Sequence, residues 1–347
     1  MENKDLHKSL SNKKRYNIKE VAIFAGVSVA TVSNVISGVK YVSPELKEKV
    51  SKVIKQLDYR PSKIARGLKM KKTFQIGVVV TDITNPFFAE VVRGIESIVL
   101  KEGYQMFLCN TDGNIQREEE ILRVFLEPCV DGVINVAPRM DERSLKNFLD
   151  IPTVIADRPI SIDNQQVGNI YTDNISGSAQ LAKYFLKKGH KTFACIAGPK
   201  HVPNVQKRIY GFRKELENAG VSKENILFFY GEFKHEDGYE IMNKLLDCKL
   251  KPTCVFLCSD IMAWGALEAV KKRGLKIPED VAIAGFDNNY FSTLLNPPLT
   301  TIHQPKFKLG EEAAKILLDI INNESSGKYK RVHEVVLDSK LIIRESV

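Results

Sequence analysis

The chain has 347 residues, 44% hydrophobic and 27% charged, which is enough for two or three units that each bury a core. Its formal net charge of +9 is unevenly held: residues 1–72 carry 17 Lys and Arg against 6 Asp and Glu, and the rest carry 34 against 36. With no signal-peptide-like start and no apolar run long enough to span a bilayer, this predicts a cytoplasmic protein without a membrane partner, in which a basic head meets an anionic polymer.

In chain order, Ile18, Val21, Ala22 and Ala25 keep the i, i+3, i+4, i+7 spacing of a short amphipathic helix. Gly26 follows and can end it in the left-handed conformation. Ser28 then reads as the N-cap of a second helix that stops at Gly38. Helix, glycine turn and helix have the spacing of a helix-turn-helix. On the second helix Val32, Val35 and Ile36 are expected to face inward, leaving Val29, Ala30, Ser33 and Asn34 outward. That outer face is uncharged and small, suited to a DNA major groove where methyls meet thymine and Asn bonds adenine. A third helix is expected with Ser43 as cap, Pro44 at its first position, and Leu46, Val50, Val53 and Leu57 inward. An unrelated three-helix bundle would share this pattern; the basic charge favours DNA.

Residues 59–72, YRPSKIARGLKMKK, are basic and could form two helical turns after Ser62. So short a helix, containing Gly67, is marginal in water, which suits a segment that folds on DNA or an ordinary flexible linker. From Phe74 onward, short apolar runs (QIGVVV, QMFLCN, VDGVINV, TVIA, NIYT, TFACIA, CVFLC, VAIAG) alternate with helical stretches near residues 87–102, 176–188, 207–219 and 260–272. This predicts an α/β body with parallel sheets, divided into two lobes, with a ligand cleft between them beyond the strand carboxyl ends. The six cysteines lack CxxC spacing, and HExxH, Walker A, GxGxxG and GxSxG motifs are missing from the sequence, so neither an enzyme nor a metal or cofactor site is expected.

The motifs IKEVAIFAGVSVATVSNVISG, VSPELKEKVSKVIKQLDYRPSKIARGLK, IGVVVTDITNPFFAEVVRGIE, KKGHKTFACIAGP, RIYGFRKELENAG, SDIMAWGALEAVKKRGLKIPEDVAIAGFDN and PPLTTIHQP, in this order, resemble the lactose-repressor (LacI) family of bacterial transcription regulators from about Asn17 to Arg344. The resemblance implies a homodimer on a pseudo-palindromic double-stranded operator, a small all-α helix-turn-helix domain, and a two-lobed periplasmic-binding-protein-like α/β core for a small effector. Expected boundaries are a disordered basic tail at 1–15, the helix-turn-helix at 16–60, a hinge helix and linker at 61–73, and the core at 74–347. Lobe one would hold about 74–173 and 304–330, and lobe two 174–303 and 331–347.

Carried over by position, the groove-reading residues would be Val29, Ala30 and Asn34. Ser28, Thr31, Ser33, Tyr41 and Tyr59 match phosphate-contacting positions, and Ala65 and Leu68 lie in the hinge, Leu68 at the wedge position. Many relatives carry Arg or His where this chain has Asn34, so an A·T pair is expected where Arg-bearing relatives read G·C. The implied effector residues are Asn85, Phe87, Phe88, Asp157, Arg158, Arg208, Phe233, Ser259, Asp287 and Gln304. Aromatics against the C–H faces of a ring, with carboxylates and guanidiniums for hydroxyls, suit an uncharged monosaccharide. The set resembles the pockets of ribose-binding proteins and ribose-responsive repressors, departing at Ser259, where Asn is usual. A purine effector, a phosphosugar or a phosphoprotein co-repressor are the alternatives, and a sugar-binding protein without a regulatory role is a more remote one.

Overall fold

In a computed structural model, which describes residues 16–38, 40–59, 72–127, 129–162, 164–326 and 333–347, the chain divides into two units between Thr73 and Phe74. The expected tail at 1–15 and almost all of the expected hinge, with Ala65 and Leu68, lie outside the described residues.

The first unit holds α1 (Ile18–Ala25), α2 (Val29–Ser37) and α3 (Pro44–Gln56). Asn17 caps α1 in a capping box with Glu20, satisfying backbone donors that a helix start leaves unpaired. Gly26 ends α1 at φ +61°, and the chain bends by 105° into α2. Val21, Ala22, Ala25, Val32, Val50 and Tyr59 form the core, with Val35, Val53 and Leu57 packed on it. Two inward assignments fail: Ile36 and Leu46 are each 36% exposed. A core this small is filled by six side chains, so residues at the rim of each apolar stripe stay wet. Ser43 precedes Pro44 but its side chain makes no capping hydrogen bond, as Pro at the first position already removes one of the donors to be satisfied.

The second unit contains two six-stranded sheets. Lobe one is built on β1 (Gln75–Val80), β2 (Gln105–Asn110), β3 (Gly132–Val136), β4 (Thr153–Ala156), β5 (Val167–Thr172) and β11 (His333–Leu337), in the all-parallel order β11-β5-β4-β3-β1-β2. Lobe two is built on β6 (Phe193–Ala197), β7 (Ile226–Tyr230), β8 (Cys254–Leu257), β9 (Ala282–Asp287), β10 (Thr300–His303) and β12 (Lys340–Ile342), in the order β12-β10-β9-β8-β6-β7. Parallel sheets were expected in both lobes; β12 departs from this, running antiparallel to β10 at an edge.

The strands inside each sheet are apolar on both faces because helices cover both, whereas the edge strand β2 leaves Phe107 and Leu108 exposed. Ile76, Val78 and Val80 pack toward α4 (Pro86–Val99) and α10 (Lys306–Ser326), while Val79 faces Leu122 and Phe125 of α5 (Ile115–Leu126). α4 and α10 meet backbone to backbone: a Cβ at Gly94 would lie 2.0 Å from the Phe307 carbonyl oxygen. In lobe two the flanking helices are α6 (Asn174–Lys187), α7 (Pro203–Asn218), α8 (His235–Leu246) and α9 (Asp260–Lys272).

The chain crosses between lobes near residues 172–174, 303–306 and 337–340. The expected assignment of residues 331–347 to lobe two is corrected at 333–337: β11 pairs with β5, so these residues belong to lobe one. Leu337 packs into the lobe-one core, which fixes the pairing. Among the described residues no single helix is long and apolar enough to cross a membrane.

Candidate effector cleft and DNA-reading face

On the first unit, Ser28 Oγ accepts from Thr31 N at 3.0 Å and lies 2.9 Å from Thr31 Oγ1, so both hydroxyls sit at the start of α2. Ser28, Val29, Ala30 and Tyr41 are exposed, and Thr31, Ser33 and Asn34 are half-buried. Six of these fall within residues 28–34, at the N-cap and N-terminal part of α2, and Tyr41 follows the helix. Tyr59 does not join them. The residue is 9% exposed, its ring packs within the core, and burial pushes its hydroxyl above the ordinary pKa.

In the second unit all ten expected effector residues line one cavity of about 350 Å³, within the roughly 300–1,000 Å³ range of small-molecule sites. The topology explains the convergence. Asn85 caps α4 beyond β1, its side chain accepting from Phe87 N at 3.0 Å. Asp157 and Arg158 follow β4, Asp287 ends β9, and Ser259 caps α9 beyond β8. Parallel strands deliver these carboxyl ends to a common edge. Asp157 (φ +68°) and Asp287 (φ +111°) hold left-handed backbone conformations, a cost that clusters at ligand sites.

The floor is a fixed polar array. Arg208 on α7 donates from Nε to Asn174 Oδ1 at 2.6 Å and from Nη1 to the Cys258 carbonyl at 2.5 Å, with its guanidinium 3.8 Å above the Phe286 ring. Gln304 donates to Asp287 Oδ1 at 2.7 Å and accepts from Thr172 Oγ1. Burial raises Asp287 to about 6 against the opposing pull of Arg208 and Lys306. Burial likewise pushes Asp157 up, against Arg158 and Arg208, and pulls Arg158 down to about 10. Asp157 Oδ1, Arg158 Nε and Asn204 Oδ1 are buried without a hydrogen-bond partner among the described residues. Such atoms are costly unless a ligand or water completes them. Phe87 and Phe88 meet edge to face, 5.2 Å apart at 89°, and Phe233 enters from the other lobe.

Several lining residues escaped the sequence reading, among them Asn204, Arg139, Asp112 and Glu232. Asn204 was reachable, since it lies four residues before Arg208 on the same helix face. Arg139 was reachable too, because it follows the carboxyl end of β3 as Arg158 follows that of β4.

Residues 17–62 match the family model for bacterial regulatory proteins of the lacI family, and residues 182–347 match a periplasmic binding protein-like domain. The chain is 38% identical over 333 residues to the HTH-type transcriptional repressor PurR of Pasteurella multocida, covering 95% of this chain and 98% of that one. Its structure is similar to a LacI-family regulator from Enterococcus faecium with bound ribose (33% identity, TM-score 0.70, 78% of this chain and 98% of that one). It is also similar to the lac repressor dimer bound to operator and an anti-inducer (25% identity, TM-score 0.83, 96% of this chain and 99% of that one).

Proposed function

The chain belongs to the lacI family of bacterial regulatory proteins and is a DNA-binding transcriptional repressor, not an enzyme; from that premise we propose that its effector is an uncharged monosaccharide of the ribose kind, bound between the lobes of a homodimer. The observation that carries this reading is the set of unpartnered buried atoms on Asp157, Arg158 and Asn204 inside a cavity walled by Phe87, Phe88 and Phe233. A carboxylate accepts from hydroxyls and a guanidinium donates to them, which is what adjacent hydroxyls on one ring require. The relative with bound ribose supports the same class.

A phosphosugar fits less well, because the lining carboxylates (Asp82, Asp112, Asp157, Glu232, Asp287) already outnumber the cations (Arg139, Arg158, Arg208, Lys234). Likeness to the PurR repressors keeps a purine as the second reading.

Two copies pairing through exposed apolar surface would present two α2 helices to successive half-sites of one operator in the bacterial cytoplasm, as the dimeric lac repressor engages its own. Trp264, Phe291, Tyr290 and Leu294 are suited to that surface: the aromatics stack in series, and Trp264, Tyr290 and Leu294 are exposed. Ser28, Thr31, Ser33 and Tyr41 would hold phosphates, and Val29, Ala30 and Asn34 would read bases. The effector shifts operator affinity only by its differential affinity for two arrangements of the lobes, relayed through residues 61–73, with Ala65 and Leu68 as the minor-groove contacts. Thermal shift against D-ribose, other pentoses, hexoses, phosphosugars, hypoxanthine and guanine tests the effector class, and operator gel shifts with the active compound give the sign of regulation. Stabilisation by a neutral sugar is expected; a response to hypoxanthine or guanine alone overturns the reading.

A further inference from the structure

Arg139 stands at the mouth of the cleft, on the lobe-one loop after β3, and reaches across it. Its Nη1 lies 3.0 Å from Nε2 of His201, on the lobe-two loop after β6, and its Nη2 lies 3.6 Å from Oε2 of Glu232, on the loop after β7. The arginine is braced from its own side. Its backbone N–H donates to the buried Glu118 carboxylate at 2.9 Å. Its side chain is 14% exposed, whereas Glu232 and His201 are exposed. Nε of Arg139 is buried without a partner among the described residues, so the group lies within the lining and is not a solvent-facing ion pair.

Arginine has donors and no acceptor. The 3.0 Å contact therefore requires Nε2 of His201 to be the acceptor, with the imidazole neutral and its proton on Nδ1. A second proton would turn the acceptor into a donor and place two cations in contact.

We propose that Arg139, Glu232 and His201 form a latch that holds the lobes closed over the effector and loosens when His201 is protonated, so that effector affinity falls with pH. The proposal rests on the inter-lobe cavity being the effector site. Arg139 is a positioning residue here, setting how long the ligand stays. His201's own loop carries Lys200, whose Nζ lies 4.5 Å over the Tyr230 ring; the cleft lining adds Glu232 and Lys234 from the β7 loop, Arg139 from the β3 loop and Asp112 from the β2 loop. Glu232 anchors the guanidinium whether or not the imidazole is charged, so acid weakens the latch without erasing it.

The test uses the full chain, calorimetric titration with D-ribose at about pH 8 and about pH 5.5, and hydrogen exchange of the mouth loops (residues 199–202 and 231–234) without ligand. Arg139→Ala is expected to weaken D-ribose about five- to tenfold at the higher pH, and wild type to lose more affinity than Arg139→Ala on acidification, because only wild type has the latch to loosen. His201→Gln keeps an acceptor at the Nε2 position and cannot be protonated, so it should bind as wild type at the higher pH and lose less affinity in acid than wild type, the remaining loss coming from protonation of Asp287 in the cleft floor. A merely structural role for His201 would not produce that rescue. Normal D-ribose binding by Arg139→Ala, or an unchanged acid loss in His201→Gln, overturns the latch. If wild type binds no D-ribose, the monosaccharide reading fails on its own, and exchange decides the latch: faster exchange of both loops in ligand-free Arg139→Ala upholds it and unchanged exchange overturns it.

Discussion

Thr172 Oγ1 donates to Gln304 Oε1, joining two of the three segments that cross between the lobes, and Gln304 Nε2 donates in turn to Asp287 Oδ1 at 2.7 Å. The cleft floor is thus bonded to the crossing itself. The third crossing is tied in as well, since Ser339 Oγ donates to the Asp173 carbonyl at 2.8 Å. A ligand that draws on Asp287 changes what Gln304 can offer Thr172, which couples occupancy to the angle between lobes.

Thr172→Val removes the donor while keeping the volume and leaves Gln304 Oε1 unpaired, a cost of about 1–3 kcal/mol. The ratio of operator affinities with and without D-ribose should shrink about fivefold or more, with a smaller change in D-ribose affinity itself. Operator titrations at fixed salt measure both, and an intact ratio would remove this bond from the coupling.

Asn34 sits half-buried on α2, a helix that carries no charged side chain. Asn pairs with adenine and Arg with guanine. Asn34→Arg should move the preferred base pair at one symmetric operator position from A·T to G·C, by about 10- to 100-fold in relative affinity. Sequencing of selected oligonucleotides reads this directly; guanine selected already by wild type refutes the assignment.

Trp264 is 47% exposed, with the Phe291 ring 5.5 Å away on one side and the His235 ring 5.1 Å away on the other. If this stack is the dimer surface, Trp264→Glu places a carboxylate in it and should weaken self-association at least about 30-fold, as loss of a central aromatic anchor does. Sedimentation velocity would show a monomer at concentrations where wild type is dimeric, with operator binding weakened in parallel. A dimer of unchanged stability moves the interface elsewhere.

Half-buried His190 packs edge-on to Phe185 and shares a 2.9 Å hydrogen bond with Thr253 Oγ1. Burial, assisted by Lys188, lowers its pKa below the ordinary 6.5. The folded state therefore binds this proton less readily than the unfolded state. The stability it contributes is present above about pH 6.5 and is lost as pH falls through the lower folded value. His190→Asn retains a polar partner for Thr253 and cannot titrate, so its denaturant midpoint should fall less than that of wild type between about pH 7.5 and about pH 5. Parallel losses would assign the acid sensitivity to other groups, such as His303, whose pKa burial also lowers.

Much of this molecule is decided by residues close together in the chain. Gly26 and Gly38 end α1 and α2 at φ +61° and +69°, a conformation costly for other residues, and Pro44 starts α3 where its missing N–H does no harm. The apolar runs inside each sheet become strands because both faces are covered, and parallel order carries the strand carboxyl ends to one edge. Those features follow from local conformation and hydrophobic period, so they can be read in the sequence. Tertiary structure alone decided the rest. Tyr59 fills the head's core because six side chains must close it, and β11 joins lobe one because Leu337 completes that core. Arg139 meets His201 and Glu232 only after two separately folded lobes approach each other. Contacts between residues 62 and 93 positions apart obey no local periodicity; they depend on how packed surfaces fit, which sequence spacing does not encode.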